Sequence, residues 1–492
     1  MEKHNQQEPC MVFKEAPFGN DTFFFENCHI KAQKGLSISN VANVNFKGLE
    51  LEIKKGKRFM NDLQIKTNSP IRTPINKKHT RNAYTCIIFK EDVHISIVEN
   101  PRPSYFCATI KTLKQHDEEK LILSFFFVAL GFGVVKAQDL PDKKETLKTV
   151  IKVNNYFMKK YADYRTPSFV KNVTRPSNIW TRGVYYEGLM ALYSVYPRDE
   201  YYKYAVDWSN YHEWGFRNGT TTRNADDYCA SQTYIDLYNI CPDPERIRKV
   251  KANIDMLVNT PQVNDWCGLT PSRWECLYLT KTWKIDRRTK YFDKMWDMYE
   301  YTRNKHGENG MYNQKEGLWW RDQDFDPPYK EPNGKNCYWS RGNGWVYAAL
   351  VRVLDEIPTN EKHRADYIND FLTMSKAIKN CQRTDGFWNV SMHDESNFGG
   401  KETSGTALFV YGMAWGVRNG LLDRKEYLPV LLEAWNAMVK DAVHPNGFLG
   451  LVQGTGKEPK DSQPVTYDKV PDFEDFGVGC FLLAGSEVYK LN

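Results

Sequence analysis

From Glu145 to the C-terminus, the sequence predicts an all-α fold of the (α/α)6-barrel type. Apolar residues recur at helical spacing in one segment after another, with Gly, Pro and Asn between the segments and no β-rich block among them. The segments also alternate between amphipathic ones and ones that are apolar nearly all round. Outer amphipathic and inner apolar helices that alternate in six hairpins form such a barrel.

Twelve helices are predicted in this part of the chain. In the ninth, Ile368, Phe371, Leu372 and Ile378 form an apolar face, and charged residues occupy the other face. Even-numbered helices, such as those containing GVYYEGLMALY and ALFVYGMAWGV, are rich in apolar and small residues, which predicts burial on every side. The predicted spans are 144–161, 183–195, 199–214, 226–239, 244–258, 268–281, 286–304, 342–355, 361–380, 403–417, 424–440 and 475–489.

The composition is that of a globular protein with a large core, with 492 residues, 41% of them apolar and 26% charged. The net charge is +6, but residues 1–137 hold 20 Lys and Arg against 14 Asp and Glu, whereas the rest holds 47 of each kind. The neutral larger part argues against a polyanion-binding protein. Nucleic-acid binding by the leader is an alternative, and it predicts salt-sensitive binding that deletion of residues 1–137 abolishes.

The 11 cysteines show no CxxC or CxxH spacing, so neither a disulfide framework nor a metal site is predicted.

The segment 111–137 has the pattern of a secretory signal peptide. Scattered lysines precede the apolar run LILSFFFVALGFGVV, and the small residue Ala137 lies just before Gln138. The run is short for a membrane span. The pattern predicts a mature domain over 138–492, periplasmic or secreted, with no membrane anchor.

A signal peptide acts at an N-terminus, so the 110 residues before it are unexpected. Residues 22–53 alternate apolar and polar residues in short runs and resemble the last coils of a parallel β-helix, as in polygalacturonases. Residues 56–110 show no period. We therefore interpret 1–110 as a poorly structured leader that arises by read-through from the tail of a neighbouring gene.

Unusual polar motifs lie at the starts of the predicted inner helices. Since inner helices of such a barrel run parallel, their N-terminal ends converge on one rim, where free N–H groups favour an anionic ligand. Helix capping by Asp226, Ser340 or Ser404 is the alternative for any single motif. The motifs are SNIWTRG (177–183), RNADDY (223–228), NDW (264–266), YWSRGNGW (338–345), ETSGT (402–406) and DFEDFGVG (472–479).

These motifs resemble those of glycoside hydrolase family 105, the unsaturated rhamnogalacturonyl hydrolases, over about residues 145–492. The most specific parts are NADDYCASQTYIDLY, YWSRGNGW and TSGTALFVYGMAWGVRNGLLD. The resemblance implies removal of a terminal 4,5-unsaturated galacturonic acid from a pectin fragment by hydration of its vinyl ether. It implies no metal and no organic cofactor. The partner would be an unsaturated acidic oligosaccharide.

Site residues are implied by the resemblance position by position. Asp226 matches one of the family's two acids, with Asp227 beside it. Trp339, Arg341 and Trp345 match the sugar-binding WxR…W set, in which the planar fork of Arg341 suits the substrate carboxylate. Two further binding residues are implied, Trp180 on the first inner helix and Arg321 in GLWWRD.

The family's second acid, the proton donor, is missing. It lies in a motif resembling DWWWIDA, but here Asp265 and Trp266 are followed by CGLTPSRWECLYL, with Thr270 at the donor position. Deleting one base from the DNA for WWWIDAIQMGMPVF and restoring it near Leu279 yields this sequence. We infer a compensated frameshift over 267–279, and expect a rate about 10²–10⁴-fold lower than with the donor present. Ordinary divergence is the alternative.

Two other functions stay open from the sequence. A non-catalytic oligosaccharide-binding protein, a pseudoenzyme, would keep the aromatic rim without the donor acid. An unsaturated glucuronyl hydrolase similar to those of family 88 would share the barrel and the chemistry. Titration with saturated and unsaturated fragments, with turnover followed in parallel, separates these functions.

Overall fold

The computed structural model describes residues 22–26, 29–32, 43–47, 50–53, 140–170, 173–264, 281, 289–307, 309–456, 459–468 and 474–492. The chain divides into two compact units, Met1–Gly133 and Val134–Asn492. The segment 111–137 that resembles a signal peptide, the predicted sixth helix apart from Lys281, and the frameshifted segment with Thr270 lie outside the described residues.

The described part of the first unit consists of four short strands, β1 (Thr22–Glu26), β2 (His29–Ala32), β3 (Asn43–Lys47) and β4 (Glu50–Ile53). β1 pairs in parallel with β3, and β2 pairs in parallel with β4. Both pairs join residues 21 positions apart, since Thr22 lies opposite Asn43 and His29 opposite Glu50. The likeness of this segment to polygalacturonases stays a prediction.

The described part of the second unit contains eleven helices in the predicted order, and its architecture is the (α/α)6 barrel. They are α1 (Lys143–Lys160), α2 (Trp180–Val195), α3 (Asp199–Tyr211), α4 (Ala225–Ile240), α5 (Pro244–Val258), α6 (Lys290–Asn304), α7 (Ser340–Glu356), α8 (Arg364–Asn380), α9 (Thr403–Arg418), α10 (Arg424–Asp441) and α11 (Glu474–Tyr489).

The inner helices α2, α4, α7, α9 and α11 are buried along almost their whole length. They pack side by side in the order α4, α2, α11, α9, α7. The closest approach involves Gly188 on α2, where an added Cβ would lie 2.5 Å from the carbonyl oxygen of Gly479 on α11. Glycine at this contact thus permits α2 and α11 to pack closely.

The outer helices bury one face each. On α8 the buried side chains include Tyr367, Phe371, Met374 and Ile378. Leu372, predicted for the apolar face, is exposed. It lies one position after Phe371, which turns it about 100° away from the core.

Two antiparallel hairpins lie between helices: β5 (Ser168–Val170) with β6 (Val173–Arg175), and β7 (Tyr312–Asn313) with β8 (Leu318–Trp319). The second hairpin is fixed to the first turn of α7. The Trp319 N–H donates to Asn343 Oδ1 at 2.8 Å, and Asn343 Nδ2 donates to the Trp319 carbonyl at 3.1 Å. Both hairpins bring polar residues to the ends of inner helices.

Among the described helices, none is both long enough and apolar enough to cross a lipid bilayer.

Candidate active site

The first two turns of all five described inner helices adjoin one another. Trp180 on α2 contacts Phe476 on α11 and Trp345 on α7, with ring centroids 5.3 and 6.3 Å apart. The thiol of Cys229 on α4 donates to the carbonyl of Trp180 at 3.4 Å. The start of α9 contacts α7 through Ser404, whose Oγ lies 3.4 Å from Arg341 Nη1. The parallel arrangement predicted for the inner helices therefore produces one rim.

Asp226 is the second residue of α4, and its carboxyl is not used as a helix cap. The cap is Asn224, whose Oδ1 accepts from the Asp226 N–H at 3.0 Å. With respect to the described residues, the Asp226 carboxylate accepts no hydrogen bond. The capping alternative for Asp226 is thus wrong, because Asn224 occupies the N-cap position and its side chain already accepts from the first turn.

Burial raises the pKa of the Asp226 carboxyl to about 6. The positive charge of Arg217 lowers this pKa and the negative charge of Asp227 raises it, with smaller lowering effects of Arg175 and Arg321. Near pH 6 a carboxyl with this pKa exchanges protons in both directions, which suits general acid and base catalysis.

Asp227 has a different environment from its neighbour. Its carboxylate is fully buried, accepts from Asn218 Nδ2 at 2.9 Å and Thr222 Oγ1 at 2.7 Å, and lies 3.0 Å from Arg217 Nε. These contacts fasten the loop before α4 onto its first turn. The predicted contact between Asp227 and the substrate stays a prediction.

An aromatic cluster lies at the centre of the rim. Phe476 contacts Trp180 and Trp345, and the guanidinium of Arg341 lies over the rings of Trp339 and Phe476, 4.5 and 5.0 Å from their centroids. The structure thus brings the predicted residues Trp180, Trp339, Trp345 and Arg341 together. Phe476 was not among the predicted site residues, although its motif DFEDFGVG was.

The guanidinium of Arg341 is directed into the protein. It is 1% exposed and donates to the carbonyls of Gln453 and Gly454 at 2.7 and 2.8 Å. Trp339 Nε1 also binds this segment, through Gln453 Oε1 at 2.9 Å. Burial lowers the pKa of Arg341 to about 10, so the group is cationic at neutral pH. The predicted grip of Arg341 on the substrate carboxylate stays a prediction.

The caps of α7 and α9 also differ from the capping alternative. α9 is capped by Glu402, whose carboxylate accepts from the N–H groups of Ser404 and Gly405 at 3.0 and 2.7 Å. Ser404 lies inside the first turn and donates its own hydroxyl to Glu402 at 2.6 Å. Ser340 is the first helical residue of α7 and follows the N-cap Trp339.

Three arginines lower the pKa of Asp226 through their positive charges, and sequence reasoning named only Arg321 among them. Arg321 follows the β7–β8 hairpin and forms an ion pair with Asp322. Arg217 lies in the loop before α4 and Arg175 is the last residue of β6, and only contacts between segments distant in sequence reveal that both lie near Asp226. Within the described residues, no group of three or more His, Cys, Asp or Glu side chains is arranged to hold a metal ion.

A barrel rim with a carboxyl of raised pKa, a cluster of aromatic rings and several arginines fits one class of protein, the helical-barrel glycoside hydrolases. Comparison with known proteins agrees with this class. Residues 149–492 match the family model described as Glycosyl Hydrolase Family 88.

Known relatives include an unsaturated 3S-rhamnoglycuronyl hydrolase of Formosa agariphila, 32% identical over 342 residues, which cover 63% of this chain and 84% of the relative. A solved family 88 glycosyl hydrolase from Bacteroides vulgatus is 30% identical with a TM-score of 0.65, covering 72% of this chain and 100% of the other. A family 105 glycoside hydrolase from C. acetobutylicum shares the fold at 18% identity and a TM-score of 0.55, covering 69% and 99%.

The chain belongs to glycosyl hydrolase family 88. The resemblance to families 105 and 88 is confirmed at the level of this pair of families, and the protein is a glycoside hydrolase of the unsaturated glycuronyl hydrolase type.

Proposed function

We propose that this protein removes a terminal 4,5-unsaturated uronic acid from an acidic oligosaccharide by hydrating the vinyl ether of that residue. The observation that carries the proposal is Asp226, a carboxyl with a pKa of about 6 at a rim that also holds aromatic rings and arginines. Aromatic faces suit sugar rings, and arginines suit the uronate carboxylate.

The proposed reaction balances without a cofactor. A carboxylic acid donates a proton to C4, a water molecule adds at C5 and gives up a proton, and the resulting hemiketal opens to release the neighbouring sugar. Asp226 can supply the proton when neutral and accept one when ionised, because its pKa lies close to the working range.

The next sugar is proposed to be rhamnose. The Formosa agariphila relative is named a rhamnoglycuronyl hydrolase, and the family resemblance implies a rhamnogalacturonan fragment of pectin. We propose galacturonic acid as the unsaturated residue, with unsaturated glucuronic acid as the alternative. A panel of unsaturated disaccharides that differ in one sugar at a time tests this choice.

Thr270 bears on the rate of the reaction. Since this residue takes the position of the family's donor acid, Asp226 is the remaining carboxyl that we propose for proton transfer. We expect the chain as written to be about 10²–10⁴-fold slower than a chain in which residues 267–279 are restored to WWIDAIQMGMPVF.

The test follows the ultraviolet absorbance of the conjugated double bond during incubation with an unsaturated uronyl-rhamnose disaccharide. The restored chain should remove this absorbance, and Asp226→Asn in the restored chain should abolish the loss. Asp163→Asn, at an exposed carboxyl, serves as a control and should leave the rate unchanged. A restored chain without turnover would contradict the proposed function, and equal rates for both chains would contradict the role given to Thr270.

A non-catalytic binding protein is the second candidate, and Thr270 is the residue that favours it. Calorimetric titration of the chain as written with saturated and unsaturated fragments separates the two functions. Binding of both fragments without any turnover would favour the binding protein.

A further inference from the structure

The β5–β6 hairpin brings Arg175 to the rim of the barrel. Its partner across the two strands is Ser168. Ser168 is buried, and its hydroxyl lies 3.5 Å from Oδ2 of Asp475 in the first turn of α11. Directly paired residues of antiparallel strands project to the same face. The side chain of Arg175 therefore lies on the same face of the hairpin as Ser168, which faces the start of α11.

The residues that follow Arg175 contact the loop beside Asp226. Asn178 Nδ2 donates to the carbonyl of Gly215 at 3.3 Å. Two residues further on, Arg217 lies within 3.0 Å of Asp227. Arg175 is thus held near the carboxyl of Asp226, and the lowering effect of its charge on the pKa of that carboxyl, although smaller than the effect of burial, agrees with this placement.

The three arginines around Asp226 differ in exposure. The side chains of Arg217 and Arg321 are 15% and 22% exposed, and each pairs with a neighbouring aspartate. Arg175 is exposed, and it forms no ion pair or side-chain hydrogen bond with the residues that the structure describes. It is the most exposed of the three cations.

We propose that Arg175 binds a second anionic group of the substrate, carried by a sugar on the leaving side of the unsaturated residue. This inference rests on the proposed function, because that function places the unsaturated residue beside Asp226. The group is a sulfate ester or a carboxylate, since both present two oxygens to the planar fork of an arginine. Arg175 is assigned to the sugar that follows because it is exposed, whereas Arg217 and Arg321 are less exposed and already pair with aspartates.

The test measures binding by calorimetry with matched probes. The probes are an unsaturated uronyl-rhamnose disaccharide, the same disaccharide with a sulfate ester on the rhamnose, and the trisaccharide extended by a uronate. Each is titrated into the full chain, Arg175→Ala, Arg175→Lys and the control Arg198→Ala. Arg198 is a comparably exposed arginine that pairs with Glu200 at the opposite end of α2.

Arg175→Ala should weaken binding of the sulfated or the uronate probe by about 10- to 100-fold, as expected for a charge-assisted hydrogen bond, and change binding of the neutral-rhamnose probe by less than about twofold. Arg175→Lys should retain part of the affinity, and Arg198→Ala should retain all of it. Which of the two anionic probes responds identifies the anion.

Three results would overturn the inference: unchanged affinity of Arg175→Ala for both anionic probes, an equal loss for all three probes, or no preference of the unaltered chain for an anionic probe. Binding requires no turnover, so its outcome is separate from that of the absorbance test. Suppose that Arg175→Ala loses affinity only for an anionic probe while the restored chain shows no turnover. That result would refute the proposed function but not the binding role of Arg175.

Discussion

At the scale of single residues, two adjacent aspartates have opposite surroundings. Asp227 is buried among three polar partners and fixes a loop. Asp226 lies in the first turn of α4, where burial outweighs the lowering effect of the arginines and raises its pKa to about 6. A carboxyl kept partly protonated near neutral pH is suited to proton transfer, and its retention has a cost in stability.

That cost leads to a prediction for Asp226→Asn. The pKa is about 6 in the folded protein against 3.8 for an ordinary aspartate, so the ionised form is disfavoured in the fold and stability is lost as the pH rises through 6. The neutral amide avoids this loss. We expect Asp226→Asn to raise the free energy of unfolding by about 2–3 kcal/mol at pH 7.5 and to change it little at pH 3.5, as measured by urea denaturation.

Asp163→Asn is the control for this measurement. The carboxyl of Asp163 is exposed, and hydrogen bonds from Arg165 lower its pKa, so its replacement should give no such gain at pH 7.5. An Asp226→Asn variant that is no more stable than the parent at pH 7.5 would contradict the raised pKa.

At the scale of the elements, an ion pair joins the first turns of two inner helices. Arg182 Nε on α2 lies 2.5 Å from Asp475 Oδ2 on α11, and both side chains are at most 3% exposed. Among the described residues, the two terminal nitrogens of Arg182 have no hydrogen-bond partner. Trp180 and Phe476, which form part of the aromatic cluster, lie within two positions of this pair, so the pair fixes their spacing.

Breaking this ion pair should be costly. Asp475→Asn leaves the Arg182 charge buried without its counter-ion, and we expect a loss of about 3–5 kcal/mol in the free energy of unfolding. The double variant Arg182→Met with Asp475→Leu should lose less than Asp475→Asn alone, because no charge is left buried. Glu145→Gln, which breaks an exposed pair with Lys148, should cost less than about 1 kcal/mol. If Asp475→Asn also costs less than about 1 kcal/mol, the Arg182–Asp475 pair is not effectively buried.

The elements also show how far the sequence predicts the structure. The alternation of outer and inner helices was predictable, because burial on one side or on all sides leaves a periodic signature. The start of α2 was predicted three residues late, at Gly183. This glycine is a packing position inside the helix, as a Cβ there would lie 2.7 Å from Cys229 Sγ. The Glu402 cap is a local contact that was not predicted, because Ser, Thr, Asp and Asn are the preferred N-cap residues and Ser404 lies close to it. The places of the arginines near Asp226 depend on contacts between segments that are distant in sequence, and no local pattern encodes those contacts.

At the scale of the whole molecule, the barrel explains why residues from separate motifs form one site. Motifs that are spread from SNIWTRG to DFEDFGVG lie at the starts of the five described inner helices, and these helix starts meet at one rim. The basic residues 1–137 belong almost entirely to a separate compact unit. Export of the barrel by the segment 111–137 stays a prediction, and N-terminal sequencing of the natural protein tests it.

The central claim is that the unsaturated sugar binds at this rim with C4 beside Asp226. A crystal structure of the Asp226→Asn variant with an unsaturated uronyl-rhamnose disaccharide tests it most directly. We predict C4 of the unsaturated ring within about 3.5 Å of the side chain of residue 226, a sugar ring against the Trp180 and Trp345 cluster, and the rhamnose directed toward Arg175. A disaccharide bound elsewhere on the barrel, or bound here with the rhamnose beside residue 226, would contradict the account.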